Sequence, residues 1–379
     1  MVRKYSKLLV LFVFPLLFTG CWDYRDVNRR SINLSVGVDE INKNIEFTGE
    51  IAKLASGQST TKGQAQITDV YKYRSLGKNF EGSRVDFNSK ATYPNFWGAV
   101  RVVVFSKKYA ENVGIESYIN RINFSTEFRN SVLVAISELP TSELFNSKVE
   151  NDISTGYAIE NTIRSLSEGG GTLYKTGQDI LADIQEKKIG YLLPYVTKEK
   201  NVVKYLGFAA MKGSKLVGII NIGDTTGYLF ILSKKPVMTS VIPHPSNESN
   251  LINTRTELKK RSIKTTYEDN KVNIYIDVKL NTQIFYEYSI APISKDDMKK
   301  LEFIISDSIK KSIISALNRS KEEFQCDVFN FARIFRSQNH YVFKKIDWEK
   351  AYTSAVFHVN AETTVINTNV LDPNAKKPN

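Results

Sequence analysis

The C-terminal third of the chain carries the pattern that most restricts its fold, a long apolar stripe of helical period that follows a strand. Five aliphatic residues recur at four-residue spacing and so share one helix face: Leu301, Ile305, Ile309, Ile313 and Leu317. Before them, residues 272–280 alternate between apolar and polar, which is typical of a strand buried on one face. A helix with one apolar face must bury that face against a neighbouring layer. The pattern therefore predicts an α+β fold whose C-terminal domain is an antiparallel sheet with a long amphipathic helix.

Local patterns predict most of the other elements. Ser294 is expected to cap the long helix, with Asp297 completing a near capping box, and Asp224 is expected to cap a short helix that ends near Leu232. Alternation over residues 32–51 predicts an opening β-hairpin. The remaining predictions are strands at 99–105, 131–136 and 355–367, helices at 107–120, 151–167 and 177–188, a hairpin at 205–220 and a polar loop at 56–64.

Length and proline positions predict the domain organisation. A chain of 379 residues is long enough for two or three domains. One boundary is predicted near residue 200, after Pro194 and a charged segment, and another at 242–247, where two prolines interrupt regular pairing. The expected units are an N-terminal α+β domain at 21–200, a small middle region at 201–248, a C-terminal α+β domain at 249–371 and a flexible tail at 372–379.

The first 21 residues have the layout of an export signal. A positively charged start precedes an apolar run at 8–18, which is about 16 Å long as a helix against a hydrocarbon core of roughly 30 Å. Small residues and Cys21 follow, which matches a bacterial lipobox, although Phe18 stands where leucine is usual. We predict a signal peptide at 1–20, cleavage between Gly20 and Cys21, and a diacylglyceryl group on the Cys21 thiol. The alternatives are a secreted protein with an incidental Cys21 and an uncleaved signal anchor.

Charge and composition argue against several classes of function. Lysine and arginine outnumber aspartate and glutamate by 52 to 40, a formal net charge of +12, but the positive residues are scattered as pairs and their longest run is 259–261. Because no run is long enough for a nucleic-acid-binding tail, we predict no nucleic-acid partner and an ordinary solvated surface. A mildly basic face against anionic lipid is the alternative. Two cysteines and three separated histidines predict no metal site.

No residue pattern predicts catalysis or a cofactor. The G-x-S-x-G and H-E-x-x-H motifs do not occur in the sequence, and the glycine run at 169–171 lacks the lysine of a P-loop, so it indicates a helix end. Asp296 and Asp297 are explained by their place at a helix start. Cys326 lies among aromatic and aliphatic residues and is predicted to be a buried hydrophobe. We therefore expect no catalytic residues, no cofactor and no enzyme activity, which leaves a scaffold or interaction protein.

Short segments that occur in a fixed order along the chain resemble those of one known family. The most specific joins the lipobox to Trp-Asp-x-Arg at 21–25. The others are Val-Gly-Val-Asp at 36–39, Arg121, Phe-Arg at 128–129, Leu-Leu-Pro at 192–194, Gly-Phe-Ala at 207–209, Lys-Leu-Val-Gly at 215–218, Phe-Gln-Cys-Asp-Val-Phe at 324–329, and Trp348. Together they resemble the Ger(x)C proteins, the lipoprotein C subunits of bacterial spore germinant receptors. The departures are Asp26 and Asp224 where glutamate is usual, and Asn330 and Ala332 where the family favours glycine.

The resemblance implies a function that composition and spacing do not reveal. It implies a non-catalytic subunit, anchored by lipid on the outer face of the spore inner membrane beside integral-membrane A and B subunits. Such a receptor senses small nutrients and triggers germination. The resemblance also implies a multi-domain α+β architecture, described for the family as three domains. The alternative from another class is a surface lipoprotein that binds a solute for a transporter, and such proteins usually have two similar α/β lobes.

Overall fold

The computed structural model describes residues 29–54, 67–186, 189–288 and 293–367. Its strands form two sheets, a large mixed sheet within residues 31–221 and a smaller sheet within residues 237–367. Helices pack on both sheets, so the predicted α+β class is confirmed. The predicted signal peptide, Cys21, the polar loop at 56–64 and the tail at 372–379 lie outside the described residues.

The large sheet begins with the predicted hairpin. β1 (Ser31–Ile41) and β2 (Asn44–Leu54) are antiparallel, and Asn42 and Lys43 join them with φ angles of 50° and 63°. Two consecutive residues in the left-handed region form the type of turn whose twist matches that of the flanking strands. β3 (Ile67–Gly77) pairs with β2 along its length and forms one edge of the sheet. The hairpin prediction is therefore confirmed.

Four parallel strands form the centre of the large sheet. They are β1, β5 (Val102–Ser106), β6 (Leu133–Ser137) and β7 (Gly190–Glu199). A short strand, β4 (Asn95–Phe96), pairs with the start of β1. Beyond β7, the predicted hairpin is formed by β8 (Val202–Lys212) and β9 (Lys215–Asn221). Every residue of β5 and β6 is buried, as expected for central strands covered on both faces.

Helices cover both faces of the large sheet. They are α1 (Phe80–Lys90), α2 (Lys107–Asn112), α3 (Glu116–Phe124), α4 (Thr141–Leu144), α5 (Thr155–Glu168) and α6 (Gly177–Gln185). The single helix predicted at 107–120 is thus two helices, since the chain turns at 113–115. Val103 and Phe105 share a buried cluster with residues of α2, α3 and α6, whereas Val102 and Val104 share another with residues of α5. Alternate residues of one strand therefore fill opposite cores.

The second sheet has the strand order β10–β11–β12–β13. Its strands are β10 (Val237–His244), β11 (Asn247–Glu268), β12 (Lys271–Glu287) and β13 (Val356–Asn367). The first three are antiparallel neighbours, as predicted, but β13 lies parallel to β12. The last strand thus differs from the fully antiparallel sheet of the prediction. Alternation fixes which side chains face the core, and it is the same for either strand direction, so the sequence pattern does not give the direction.

The long helix α8 (Lys295–Glu322) packs on the second sheet as predicted. All five residues of its aliphatic stripe are fully buried, in one cluster with the apolar residues of β12. The capping prediction is also confirmed. Ser294 Oγ accepts a hydrogen bond from the Asp297 backbone N–H (3.1 Å) and donates one to the Asp297 carboxylate (2.7 Å). Three shorter helices follow, α9 (Phe331–Gln338), α10 (His340–Phe343) and α11 (Trp348–Thr353).

The cap predicted at Asp224 is wrong. Asp224 ends a 3₁₀ turn, Ile222–Asp224, and the helix that follows it is α7 (Thr226–Leu232), whose preceding residue is Thr225. The Thr225 hydroxyl donates back to the Ile222 carbonyl oxygen (2.8 Å) and makes no side-chain cap for α7. The chain enters α7 directly from a tighter helical turn, and so the side-chain acceptor that the sequence pattern suggested is not used there.

The two predicted domain boundaries coincide with hairpin turns. Residues 200–201 join β7 to β8 within the large sheet, and residues 245–246 join β10 to β11 within the second sheet. Pro194 lies inside β7. Strand β6 pairs with β7 only at Tyr195 and Val196, so the missing N–H of Pro194 interrupts no hydrogen bond to β6. The region predicted at 201–248 contributes strands to both sheets, and the sheets divide the chain at 222–236.

Candidate functional site

Segments that carry the family resemblance meet where the two sheets join. The segment 324–329 follows α8, and the Asp327 carbonyl oxygen accepts a hydrogen bond from the Gly190 N–H at the start of β7 (2.8 Å). A Cβ atom at Gly190 would lie 2.8 Å from Cys326 Sγ, and one at Gly218 in β9 would overlap the Phe324 ring. Because only glycine permits these approaches, the two positions let the end of α8 dock against the large sheet.

Asp327 organises this junction through its carboxylate. Oδ1 accepts hydrogen bonds from the backbone N–H groups of Phe329 (3.0 Å) and Phe331 (3.1 Å), and Oδ2 accepts one from Ala332 (2.7 Å). Two of these donors lie in the first turn of α9, whose N–H groups have no partner within the helix. Asn330 precedes the helix with a φ of 63°, a conformation in which glycine and asparagine are the residues most often found. The family's preference for glycine at this position thus has a structural reason.

Burial and hydrogen bonding act in opposite directions on the Asp327 carboxyl. Asp327 is 1% exposed, and desolvation raises its pKa to about 6 although the three backbone N–H bonds lower it. The carboxyl is therefore ionised at neutral pH, but the pKa lies much closer to neutrality than that of an exposed aspartate. The charge lies at the N-terminus of α9, where the helix dipole stabilises a negative group.

The neighbouring thiol is a structural group. Cys326 is 6% exposed, and burial together with the charge of Asp327 raises its pKa to about 12. A thiol with that pKa stays protonated at physiological pH and is a poor nucleophile. Its backbone carbonyl accepts a hydrogen bond from Ser320 Oγ (2.6 Å), and the same hydroxyl pairs with the Tyr352 hydroxyl (2.8 Å). The prediction that Cys326 is a small buried hydrophobe is confirmed.

A second buried carboxylate belongs to the segment 36–39 that contributes to the resemblance. Asp39 ends the buried part of β1 and is 4% exposed. Ser106 Oγ at the end of β5 donates to its Oδ1 (2.8 Å), and the backbone N–H of Thr141 at the start of α4 donates to its Oδ2 (3.3 Å). Asp39 therefore links two strands and a helix of the large sheet.

Glu50 is a third buried carboxylate that the sequence did not reveal. It lies in β2, is 1% exposed, and accepts from Ser35 Oγ (3.2 Å) and from the backbone N–H groups of Thr155 (2.8 Å) and Gly156 (2.9 Å). It thus caps the first turn of α5 from a different element. The sequence places Glu50 in the predicted hairpin without indicating its burial, which results from α5 covering this part of β2.

An ion-pair cluster also joins the two parts of the molecule. The carboxylate of Asp183 in α6 is buried and lies 2.8 Å from Lys175 Nζ and 3.2 Å from Arg333 Nη2 in α9. Arg333 and Arg336 also pair with Glu186, just beyond α6. These partners are about 150 residues apart in the sequence, and local sequence patterns do not predict contacts at that separation. Hydrogen bonds to the buried Asp183 add to the docking of α9 on the large sheet.

The residues considered for catalysis or metal binding are dispersed. His358 Nε2 lies 3.1 Å from Asn273 Oδ1, and its ring stacks on Tyr275 at a centroid distance of 4.4 Å. His244 is buried beside Ser246, whose backbone N–H donates to its Nδ1 (3.1 Å). Within the described ranges, no group of three or more histidine, cysteine, aspartate or glutamate side chains could hold a metal ion. The carboxylates Asp39, Glu50 and Asp327 are satisfied by backbone and hydroxyl donors, so their arrangement holds loops and helix starts in place.

The predicted lipid-attachment residue, Cys21, lies outside the described residues, and the described chain begins at Arg29. In the parts of the chain that the structure describes, no helix combines the length and the hydrophobicity that crossing a bilayer requires.

Two family domains match the parts of the chain in which the segments of the resemblance lie. The family domain described as "Spore germination protein N-terminal domain" matches residues 23–198, and the domain described as "Spore germination B3/ GerAC like, C-terminal" matches residues 206–369. The chain is 20% identical to spore germination protein B3 of Bacillus subtilis over 97% of this chain and 98% of that protein. It is 24% identical to spore germination protein A3 of the same organism, over 70% of each chain.

One further relative and one solved structure extend this comparison. Spore germination protein GerQC of Bacillus cereus is 25% identical over 75% of this chain and 79% of its own length. The crystal structure of the GerBC protein superposes with a TM-score of 0.58 at 18% identity, covering 90% of this chain and all of that one, which shows a shared fold. Since the two family domains together match most of residues 23–369, the chain belongs to the GerAC-like family of spore germination proteins.

Proposed function

We propose that this protein is the lipid-anchored, non-catalytic subunit of a nutrient germinant receptor. In this proposal, a diacylglyceryl group on Cys21 holds it on the outer face of the spore inner membrane. There it acts beside integral-membrane A- and B-type subunits and is required for the germination response. The observation that carries the proposal is the match of both the N-terminal and the C-terminal germination domains in one chain, directly after a lipobox.

The position of the anchor supports this role physically. Arg29 is eight residues after Cys21, and an extended chain of that length spans at most about 26–29 Å. A body tethered at that distance is present at a high effective concentration for any partner in the same membrane. Two acyl chains bind a bilayer stably, whereas one chain would bind it only marginally. Lipidation would therefore replace a transmembrane helix as the means of attachment.

The test compares two single cysteine replacements. Cys21→Ala removes the proposed lipid attachment, and Cys326→Ala removes the buried thiol and keeps Cys21. Spores of each strain are followed by optical density after a panel of nutrients and after a non-nutrient chemical trigger. We expect Cys21→Ala to lose the response to one nutrient class and to keep the response to the chemical trigger, with Cys326→Ala close to wild type. Full nutrient response from unlipidated protein would contradict the proposal.

The alternative of a solute-binding lipoprotein predicts a different architecture. Such proteins usually have two similar lobes, but here a large mixed sheet with parallel central strands stands beside a smaller sheet covered by one long helix. Gene neighbourhood distinguishes the two functions directly. Adjacent genes for A- and B-type membrane subunits support the receptor, and an adjacent ATPase and permease would support transport.

A further inference from the structure

The end of the large sheet at which the described chain begins carries exposed aromatic side chains and arginines. Tyr93 and Phe96 are 46% and 44% exposed, although both are large and partly apolar. Arg29 and Arg30 precede β1 on the same end, with Arg29 exposed and Arg30 half-buried. We call residues 91–96, together with Arg29 and Arg30, the rim.

Hydrogen bonds fix the rim to the start of β1. The Ser31 N–H donates to the Pro94 carbonyl oxygen (3.0 Å), and Ser31 Oγ donates to the Tyr93 carbonyl oxygen (3.0 Å). Asn33 Nδ2 donates to Asn95 Oδ1 (3.2 Å), and β4 pairs in parallel with the first two residues of β1. The rim therefore has a fixed position relative to the point at which the chain enters the sheet.

The length of the preceding chain limits how far the rim can lie from the anchor. Ser31 is ten residues after Cys21, so at most about 33–36 Å of extended chain lies between the lipid attachment and the residue that contacts the Pro94 carbonyl. This step rests on the proposed function, because it uses lipidation of Cys21. No other described residues are joined to the anchor by so short a length of chain.

A cleft at the rim has the chemistry of a phosphate-binding surface. Its volume is about 420 Å³, and the side chains that line it include Arg30, Arg84, Asn88, Tyr93, Trp97 and Glu127. The guanidinium group of arginine matches the geometry of phosphate oxygens. Arg84 is paired with Glu81 at 2.7 Å, and Glu127 brings one negative charge to the same cleft, so Arg29 and Arg30 together leave this end with a net positive charge.

We propose that the rim contacts anionic phospholipid headgroups of the bilayer that holds the anchor. Tyrosine and phenylalanine are suited to the boundary between headgroups and acyl chains, and arginines near an anionic surface are attracted to it. In this proposal the lipidated N-terminal segment keeps the folded part of the protein near the membrane. The rim orients it, so that the end of the large sheet that carries the rim faces the lipid. A rim that instead docks a membrane-protein subunit is the competing outcome of the test.

Hydrogen exchange on the full lipidated chain tests this. The protein is reconstituted in vesicles of phosphatidylcholine alone or with phosphatidylglycerol, and amide exchange at 91–97 is compared with exchange at the hairpin turn 269–270. We expect exchange at 91–97 to be about tenfold slower in the anionic vesicles, because two arginines near such a surface shift the contact equilibrium by at least that factor. The turn at 269–270 should exchange equally in both.

Variants and a mass measurement separate the possible failures. Arg29→Gln combined with Arg30→Gln should lose the slowing, whereas Lys344→Gln combined with Lys345→Gln, which removes two positive charges from exposed positions in the second part of the molecule, should keep it. Equal exchange in both vesicle types, with diacylglyceryl confirmed on Cys21 by mass spectrometry, overturns the rim proposal and leaves the anchor intact. An unmodified Cys21 overturns both. Slowing that requires added A and B subunits assigns the rim to a protein partner and refutes the lipid proposal.

Discussion

Replacing Asp327 with asparagine should change how the stability of the protein depends on pH. The folded state raises the pKa of this carboxyl to about 6 because the group is buried, whereas an unfolded chain leaves it near 3.8. The folded protein therefore holds this proton more tightly than the unfolded chain does. The resulting stabilisation is fully present below about pH 3.8 and is lost as the pH rises through about 6. Asparagine does not titrate, so Asp327→Asn removes this contribution at every pH.

The magnitude follows from the size of the shift. A shift of about 2 pKa units corresponds to about 3 kcal/mol of unfolding free energy. About 1 kcal/mol is already lost at pH 4.5, because the unfolded carboxyl has begun to ionise there, so about 2 kcal/mol disappears between pH 4.5 and pH 7. Over this interval the unfolding free energy of the wild type should fall by that amount relative to Asp327→Asn. The amide also changes the group that meets the Ala332 N–H, which donates to Oδ2 in the wild type, but the cost of that change does not depend on pH.

Urea unfolding of the full-length chain in a non-ionic detergent provides the measurement. Unfolding is followed by tryptophan fluorescence, to which Trp348 contributes from the same small cavity as Asp327. Asp296→Asn is the matched control, since Asp296 is exposed in the first turn of α8, and it should follow the wild type. A difference between wild type and Asp327→Asn that stays constant from pH 4.5 to pH 7 would refute the reasoning.

Substitutions at three positions test other parts of the structure. Glu50→Gln turns an amide N–H₂ towards a backbone N–H of α5 and should lower the unfolding free energy by about 1–3 kcal/mol, measured by urea denaturation; an unchanged midpoint would contradict the capping role. Gly218→Val places methyl groups against the Phe324 ring and should lower the unfolding free energy by about 1–3 kcal/mol, which is measured as a lower melting temperature. Ile309→Ala should cost about 2–4 kcal/mol and Ile309→Val under about 1.5 kcal/mol, and equal effects would argue against the close packing of α8.

The elements that the sequence predicted best have short-range causes. Alternation and a two-residue turn define the β1–β2 hairpin, and the four-residue repeat with Ser294 as its cap defines α8. In each, the residues that determine the structure are neighbours in the chain, so local periodicity contains the information. The family segments were also recognisable, and the structure shows why Asp327 and Gly218 occur in them.

The features that were missed depend on contacts between distant residues. Burial of Glu50 follows from the position of α5, about 105 residues later, and the pairing of Asp183 with Arg333 joins helices about 150 residues apart. The parallel direction of β13 is equally non-local. The structure accommodates Pro194 where one side of a strand is unpaired, and the prolines at 243 and 245 next to a hairpin turn.

The parallel pairing of β13 with β12 has a consequence for synthesis. All strands described in the large sheet lie within residues 31–221, so that sheet can assemble while the rest of the chain is still being synthesised. The second sheet is complete only when residues 356–367, near the end of the chain, have been delivered. A product that stops after α11 would leave the edge of β12 open, and open strand edges are where separate chains pair with one another. Prematurely terminated copies are therefore expected to aggregate.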